Sequence, residues 1–218
     1  MGRRKGKENA RDRILTDDEL RAIMGVPVSG PFPALVRFLL LTAARRNEAA
    51  AMRWDEIGGD TWTLPASRNK TGEQLVRPLS KAAQEVLAGM PRLGAFVFSA
   101  DGRRGISGFS QGKRQFDQQC GVTGWTLHDL RRTARSLMSR AGIPSEHAER
   151  CLGHVLGGVE GTYNRYLYMP EMARAYEVLA SMIERIIDPQ ENVLPMGAPL
   201  SFNAFAMTRA PIARSQAR

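Results

Sequence analysis

Between residues 14 and 187 the apolar positions recur mostly every three or four residues, the spacing of helices that each bury one face. Thr16-Asp17-Asp18-Glu19 reads as a capping box and predicts a short helix through Met24. Pro31 and Pro33 precede a predicted helix from about Ala34 to Thr42, with Leu35, Phe38, Leu39 and Thr42 on one face. Ala43 to Arg46 break it. A second helix is expected from Asn47, as N-cap, to Trp54. The period then changes. Thr61-Trp62-Thr63-Leu64 and Leu75-Val76-Arg77-Pro78-Leu79 are strand-like, and Arg68-Asn69-Lys70-Thr71-Gly72 between them is turn-rich. This predicts a β-hairpin with Lys70 near its tip, and Pro78 confines the second strand to an edge or to near its end. Helical spacing returns in a segment capped by Ser80 and running through Leu87, and in Phe109 to Cys120. It continues in Thr126 to Ala141, ended by Gly142 and Pro144, and in Ser145 to Leu152. Thr162 to Tyr166 and Pro170 to Ile187 complete the set. The expected fold class is mainly α, with a small antiparallel β-sheet near the N-terminal third.

Composition narrows the partners. The 218 residues suffice for one large domain, and an apolar fraction of 43% excludes wholesale disorder. A formal net charge of +9 points to a polyanion, with nucleic acid first and a membrane surface second. Residues 1–13 hold six basic against two acidic side chains, and residues 188–218 hold three against two. The body at 14–187 therefore carries only +4. The head reads as a flexible basic leader or linker. The tail, with Pro189, Pro195, Pro199 and Pro211, reads as loosely ordered. The head lacks the apolar core of a signal peptide. The stretch Ala34 to Ala44 is interrupted by Arg37 and is about half the ~20 residues of a membrane span. Cys120 and Cys151 are too few for a disulfide scaffold, and neither sits in a CxxC pair that would suggest zinc. A cytoplasmic protein with reduced thiols and no membrane contact is expected.

Four clusters carry candidate chemistry. Arg45 lies at the helix–helix break, Lys70 on the hairpin, and His128 and Arg131 share one helix face by their spacing of three. His154 follows Leu152-Gly153, and Tyr163 comes nine residues later. Each has an ordinary reading: a surface arginine, a solubilising hairpin lysine, a chance HxxR, a helix-end histidine, a core tyrosine. In this order they compose a site for a phosphodiester. Two guanidiniums grip non-bridging oxygens, a lysine protonates a leaving alkoxide, a histidine moves a proton, and a tyrosine attacks phosphorus. The carboxylates are not clustered in the way that holds two Mg²⁺ ions.

These motifs resemble those of the tyrosine recombinases, the phage integrase family. The first family box is roughly T-G-x-R-x-x-E-x-x-x-L-x-W, and Thr42-Ala43-Ala44-Arg45-Arg46-Asn47-Glu48 to Met52-Arg53-Trp54 follows it. Lys70 matches the hairpin lysine, His128 and Arg131 the HxxR box, His154 the later His or Trp, and Tyr163 the nucleophile. Arg46 adjoins Arg45, and Tyr166 and Tyr168 lie close to Tyr163, so the assignments rest on spacing and context. The usual glycine after Thr42 is Ala43, a mild change unless φ there must be positive.

The resemblance covers about Leu15 to Ile187 and implies the family's catalytic-domain fold at 14–187. It implies double-stranded DNA as partner, a 3′-phosphotyrosine intermediate, no cofactor or metal, and site-specific integration or excision. Glu48 would brace the arginines. The core-binding domain that precedes the catalytic domain in the family is expected to be absent. A tetramer on two duplexes is expected during recombination, with a monomer in free solution. The rival readings are a type IB topoisomerase-like relaxing activity and a DNA-binding remnant.

Overall fold

A computed structural model describes residues 12–154 and 166–189. The predicted helix at Thr162 to Tyr166, Tyr163 itself, most of the basic head and most of the tail lie outside the described residues. The expected class holds: eight described helices surround a three-stranded antiparallel sheet.

Helix α1 (Asp17–Gly25) starts at the predicted capping box. The Thr16 side chain accepts from the Glu19 N–H, and the Glu19 carboxylate accepts from the Thr16 N–H. Helix α2 (Pro31–Thr42) begins three residues before its expected start. Pro31 and Pro33 fall in its first turn, where backbone N–H groups have no intrahelical acceptor to lose. Helix α3 (Arg46–Ala50) is shorter than expected, and Arg45, not Asn47, takes its N-cap position. It stops early because another segment claims the backbone beyond it. The Trp54 N–H donates to the Ala95 carbonyl and the Val97 N–H to the Met52 carbonyl, both at 3.0 Å.

A two-residue strand β1 (Ile57–Gly58), not expected from the pattern, pairs with β2 (Thr61–Leu64), which pairs with β3 (Leu75–Pro78). The sheet order is β1-β2-β3, so Pro78 ends an edge strand as its missing N–H requires. The remaining helices are α4 (Lys81–Ala88), α5 (Phe109–Cys120), α6 (Leu127–Arg140), α7 (Ser145–Cys151) and α8 (Met169–Ile187). Ser80 caps α4 by accepting from the Ala83 N–H, and Thr126 with Asp129 forms a second capping box on α6.

The core is built around α2, which buries residues on every side and packs against α4, α6 and α8. Phe38 meets Trp62 and Phe98 at ring-centroid distances of 5.7 and 5.4 Å. Buried Met172, Ala175, Tyr176, Leu179, Ile183 and Ile186 form the inner stripe of α8. Among the described residues no helix is long and apolar enough to cross a membrane.

Candidate active site

Helix α2 ends at Ala43, which adopts a left-handed conformation with φ 50 and ψ 23 although it is not glycine. That backbone turn supplies a buried carbonyl, and Arg131 Nη1 donates to it at 2.5 Å. Arg131 lies one turn into α6 and is buried. Its Nη2 donates to the Leu152 carbonyl at 2.7 Å and lies 3.0 Å from His154 Nε2. A guanidinium only donates, so Nε2 accepts and Nδ1–H donates to the Glu149 carboxylate at 2.5 Å. Arg135 holds the other Glu149 oxygen at 2.8 Å. Burial would raise the Glu149 pKa, but the hydrogen bonds from Arg135 and His154 and their charges bring it below its ordinary value.

Two residues beyond Ala43, Arg45 Nη1 donates to Glu48 Oε1 at 2.7 Å. Glu48 Oε2 accepts from buried Arg77 at 2.8 Å and from the Arg45 N–H at 3.2 Å. Burial pushes the Glu48 carboxyl up. Arg77 and Arg45 outweigh that and hold it below the usual glutamate range. The guanidinium of Arg131, by contrast, is pushed down to about 10 by burial and by the like charges of Arg45 and Arg77. Two arginines thus share one carboxylate, and a third, Arg131, is held on backbone carbonyls nearby.

The hairpin is carried to this wall by Arg68, whose Nη1 donates to the Glu48 carbonyl at 3.1 Å and whose Nη2 pairs with Glu56. Asn69 closes the loop by donating to the Glu73 carbonyl at 2.7 Å. Lys70, exposed at the turn, then faces a cleft of about 810 Å³ that Arg45 and His128 also line. Partial burial first, then the charges of Arg132 and Arg131, lower the His128 pKa; the Asp129 charge opposes them. The far wall carries Arg46 stacked on Phe109 at 4.5 Å and Lys113 over Trp125 at 3.8 Å.

The structure therefore joins the expected residues in two sets. Arg45, Lys70 and His128 share the cleft, and Arg131 and His154 are hydrogen-bonded beside it. The segment that carries Tyr163 leaves at His154 and returns at Tyr166, and these two residues line one groove. Tyr166 donates to Glu171 at 3.2 Å, and the Tyr168 ring lies 3.7 Å beneath the Arg150 guanidinium.

Arg77, Glu149, Arg68 and Lys113 belong to none of the four sequence clusters. Arg77 alone had a usable signal, since counting back from the hairpin loop pairs it with Trp62 on the buried face. Among the described residues no group of three or more His, Cys, Asp or Glu side chains is placed to hold a metal ion.

Comparison with known proteins follows the same line. Residues 13–168 match the model of the phage integrase family. Prophage integrase IntA of Escherichia coli is 30% identical over 157 residues, which is 69% of this chain and 38% of that protein. The chain therefore spans well under half the length of this relative. An integrase from mycobacterium phage Brujita superposes with a TM-score of 0.65 at 18% identity, covering 85% of this chain and 67% of that one. A lambda integrase tetramer bound to a Holliday junction gives a TM-score of 0.56 at 22% identity, covering 72% of this chain and 51% of that one.

Proposed function

We propose that this chain, which belongs to the phage integrase family, cuts and rejoins duplex DNA at specific sites through a 3′-phosphotyrosine intermediate. The observation that carries the reading is the charge arrangement at Glu48. Arg45 and Arg77 both donate to the Glu48 carboxylate, and Arg131 is buried close enough to feel the charges of both, which leaves a surplus of two positive charges beside an open cleft. Such a wall suits a phosphodiester whose equatorial oxygens gain charge in the transition state.

In this reaction the Tyr163 hydroxyl attacks the scissile phosphorus. The P–O5′ bond breaks as Lys70 delivers a proton to the departing 5′-oxygen. Arg45 and Arg131 hold the non-bridging oxygens. His128, kept neutral by its lowered pKa, assists proton transfer by taking the proton that the Tyr163 hydroxyl gives up. His154 keeps Arg131 in place through Nε2, and it contacts the phosphate in the form that carries a proton on Nε2, which then donates to an oxygen. Attack by the 5′-hydroxyl of a partner strand reverses the chemistry and releases Tyr163. The bond energy is conserved in the phosphotyrosine, so the cycle runs without ATP, cofactor or metal. The residues 14–187 act as the catalytic domain in the cytoplasm. A tetramer on two duplexes is the working assembly, as in the lambda integrase complex with a Holliday junction.

The test is covalent trapping on a library of nicked duplexes with randomised sequence. The wild-type chain should give an adduct that survives denaturant, with the labelled peptide containing Tyr163. Tyr163→Phe should bind duplex and give no adduct. An adduct that persists in this variant moves the nucleophile to Tyr166 or Tyr168, and a wild-type chain that never traps DNA overturns the reading.

A further inference from the structure

Arg77 is fully buried near the end of β3, across the strand pair from Trp62. Its guanidinium carbon lies 5.0 Å from the Trp62 ring centroid. Nη2 donates to Glu48, but Nε and Nη1 find no acceptor among the described residues. The head of the side chain lies beneath the turn that presents His154, since a Cβ on Gly153 would come within 3.8 Å of Nη2.

This is a costly residue for a strand interior. A buried guanidinium with two idle nitrogens forfeits solvation that the single ion pair only partly restores. An apolar side chain of similar bulk stacked on Trp62 commonly stabilises a core more. Stability does not explain the charge, so its benefit lies at the site. Glu48 is the only described acceptor it reaches, and Glu48 is the group that holds Arg45.

We infer that Arg77 is a positioning residue for Arg45: by pinning one oxygen of the Glu48 carboxylate it orients the other oxygen onto the Arg45 guanidinium. The carboxylate plane is then fixed by three donors, from the Arg77 side chain, the Arg45 side chain and the Arg45 backbone. With Arg77 gone, the carboxylate rotates about its last torsion and Arg45 moves with it. A displacement of about 1 Å at a phosphate-gripping group is enough for a ~10²-fold loss in rate. The inference rests on the reading that Arg45 meets a phosphate, and two measurements separate the fates of the two ideas.

The first is adduct formation on the trapped duplex with Arg77→Met, Arg77→Lys, Glu48→Gln and the Arg77→Met/Glu48→Gln double variant. Arg77→Met should slow adduct formation ~10²-fold while duplex affinity changes little. Arg77→Lys should recover most of the rate. In the Glu48→Gln background Arg77→Met should add little, because the carboxylate it acts through is gone. Equal losses in the two backgrounds refute the inference. Arg77→Gln reads the same coupling should Arg77→Met fail to fold.

The second measurement is the arginine Nε–Hε NMR spectrum of the full chain, with the Arg45 signal identified by its loss in Arg45→Lys. That signal should move in Arg77→Met and in Glu48→Gln and return in Arg77→Lys. An Arg45 signal indifferent to Arg77→Met overturns the proposal. A signal that follows Arg77 in a chain that never traps DNA sinks the recombinase reading and leaves the positioning intact.

Discussion

Ala43 holds local backbone strain in the site wall. An L-residue in the left-handed region costs roughly 1–2 kcal/mol, and Ala43 sits at φ 50. Ala43→Gly relieves that strain but loosens the unfolded chain by about 0.4–1 kcal/mol. The net expectation is a gain of about 0.5–1 kcal/mol, seen as a higher urea midpoint at constant slope. The carbonyl that receives Arg131 is backbone and survives the change. Arg131→Ala, in contrast, removes a preorganised donor and should slow adduct formation by ~10²–10³-fold. His128 sets a pH dependence of opposite sense to that of a paired histidine. Its folded pKa is below the ordinary value, so the unfolded chain binds the proton more readily. Stability should fall as the pH drops below about 6.5, and His128→Gln should flatten the melting temperature against pH in that window.

At the scale of elements, the local signals that sequence carries were the ones that survived. The capping box at Thr16, the Ser80 cap and the hairpin loop depend on residues a few positions apart, and each appears where its spacing puts it. Arg45, Lys70, His128, Arg131 and His154 stand out in the sequence for the same reason, as short motifs on such elements. What the pattern missed is set by distant partners. Helix α3 ends at Ala50 because residues 95–97 bond to the chain at 52–54. Strand β1 has only two residues and exists through its pairing with β2. Arg77 serves a carboxylate 29 positions away. Gly112 shows how far context overrides propensity. In an exposed helix, alanine in its place would stabilise by about 0.5–1 kcal/mol. Here a Cβ would lie 2.5 Å from the Phe32 ring. Gly112→Ala should instead destabilise by about 1–3 kcal/mol in urea unfolding, as α5 is pushed off α2.

For the whole molecule, the net +9 is less telling than its distribution. Much of the excess belongs to residues 1–13, while the site relies on arginines whose charges are partly spent on Glu48. Duplex affinity should therefore fall steeply with salt, as counterions released from phosphates are returned. Deleting residues 2–11, which hold five Lys or Arg against one Glu, should lessen the slope of log Kd against log salt concentration. Adduct formation at saturating DNA should keep its rate. A slope unchanged by the deletion would assign the phosphate contacts to the body alone.

The two carbonyls that grip Arg131 come from chain positions far apart, Ala43 at 88 residues and Leu152 at 21. One belongs to the end of α2, the other to the end of α7, and the arginine to α6. Arg131 thus works as a coincidence detector for folding: its guanidinium is aimed only when all three pieces have docked. Loosening any one of them erases the aim while most helices persist. Competence to cut DNA should consequently vanish at a lower denaturant concentration than the helical circular-dichroism signal. On the proposed function, a half-assembled chain would then leave duplex DNA uncut, a fail-safe built from two backbone oxygens.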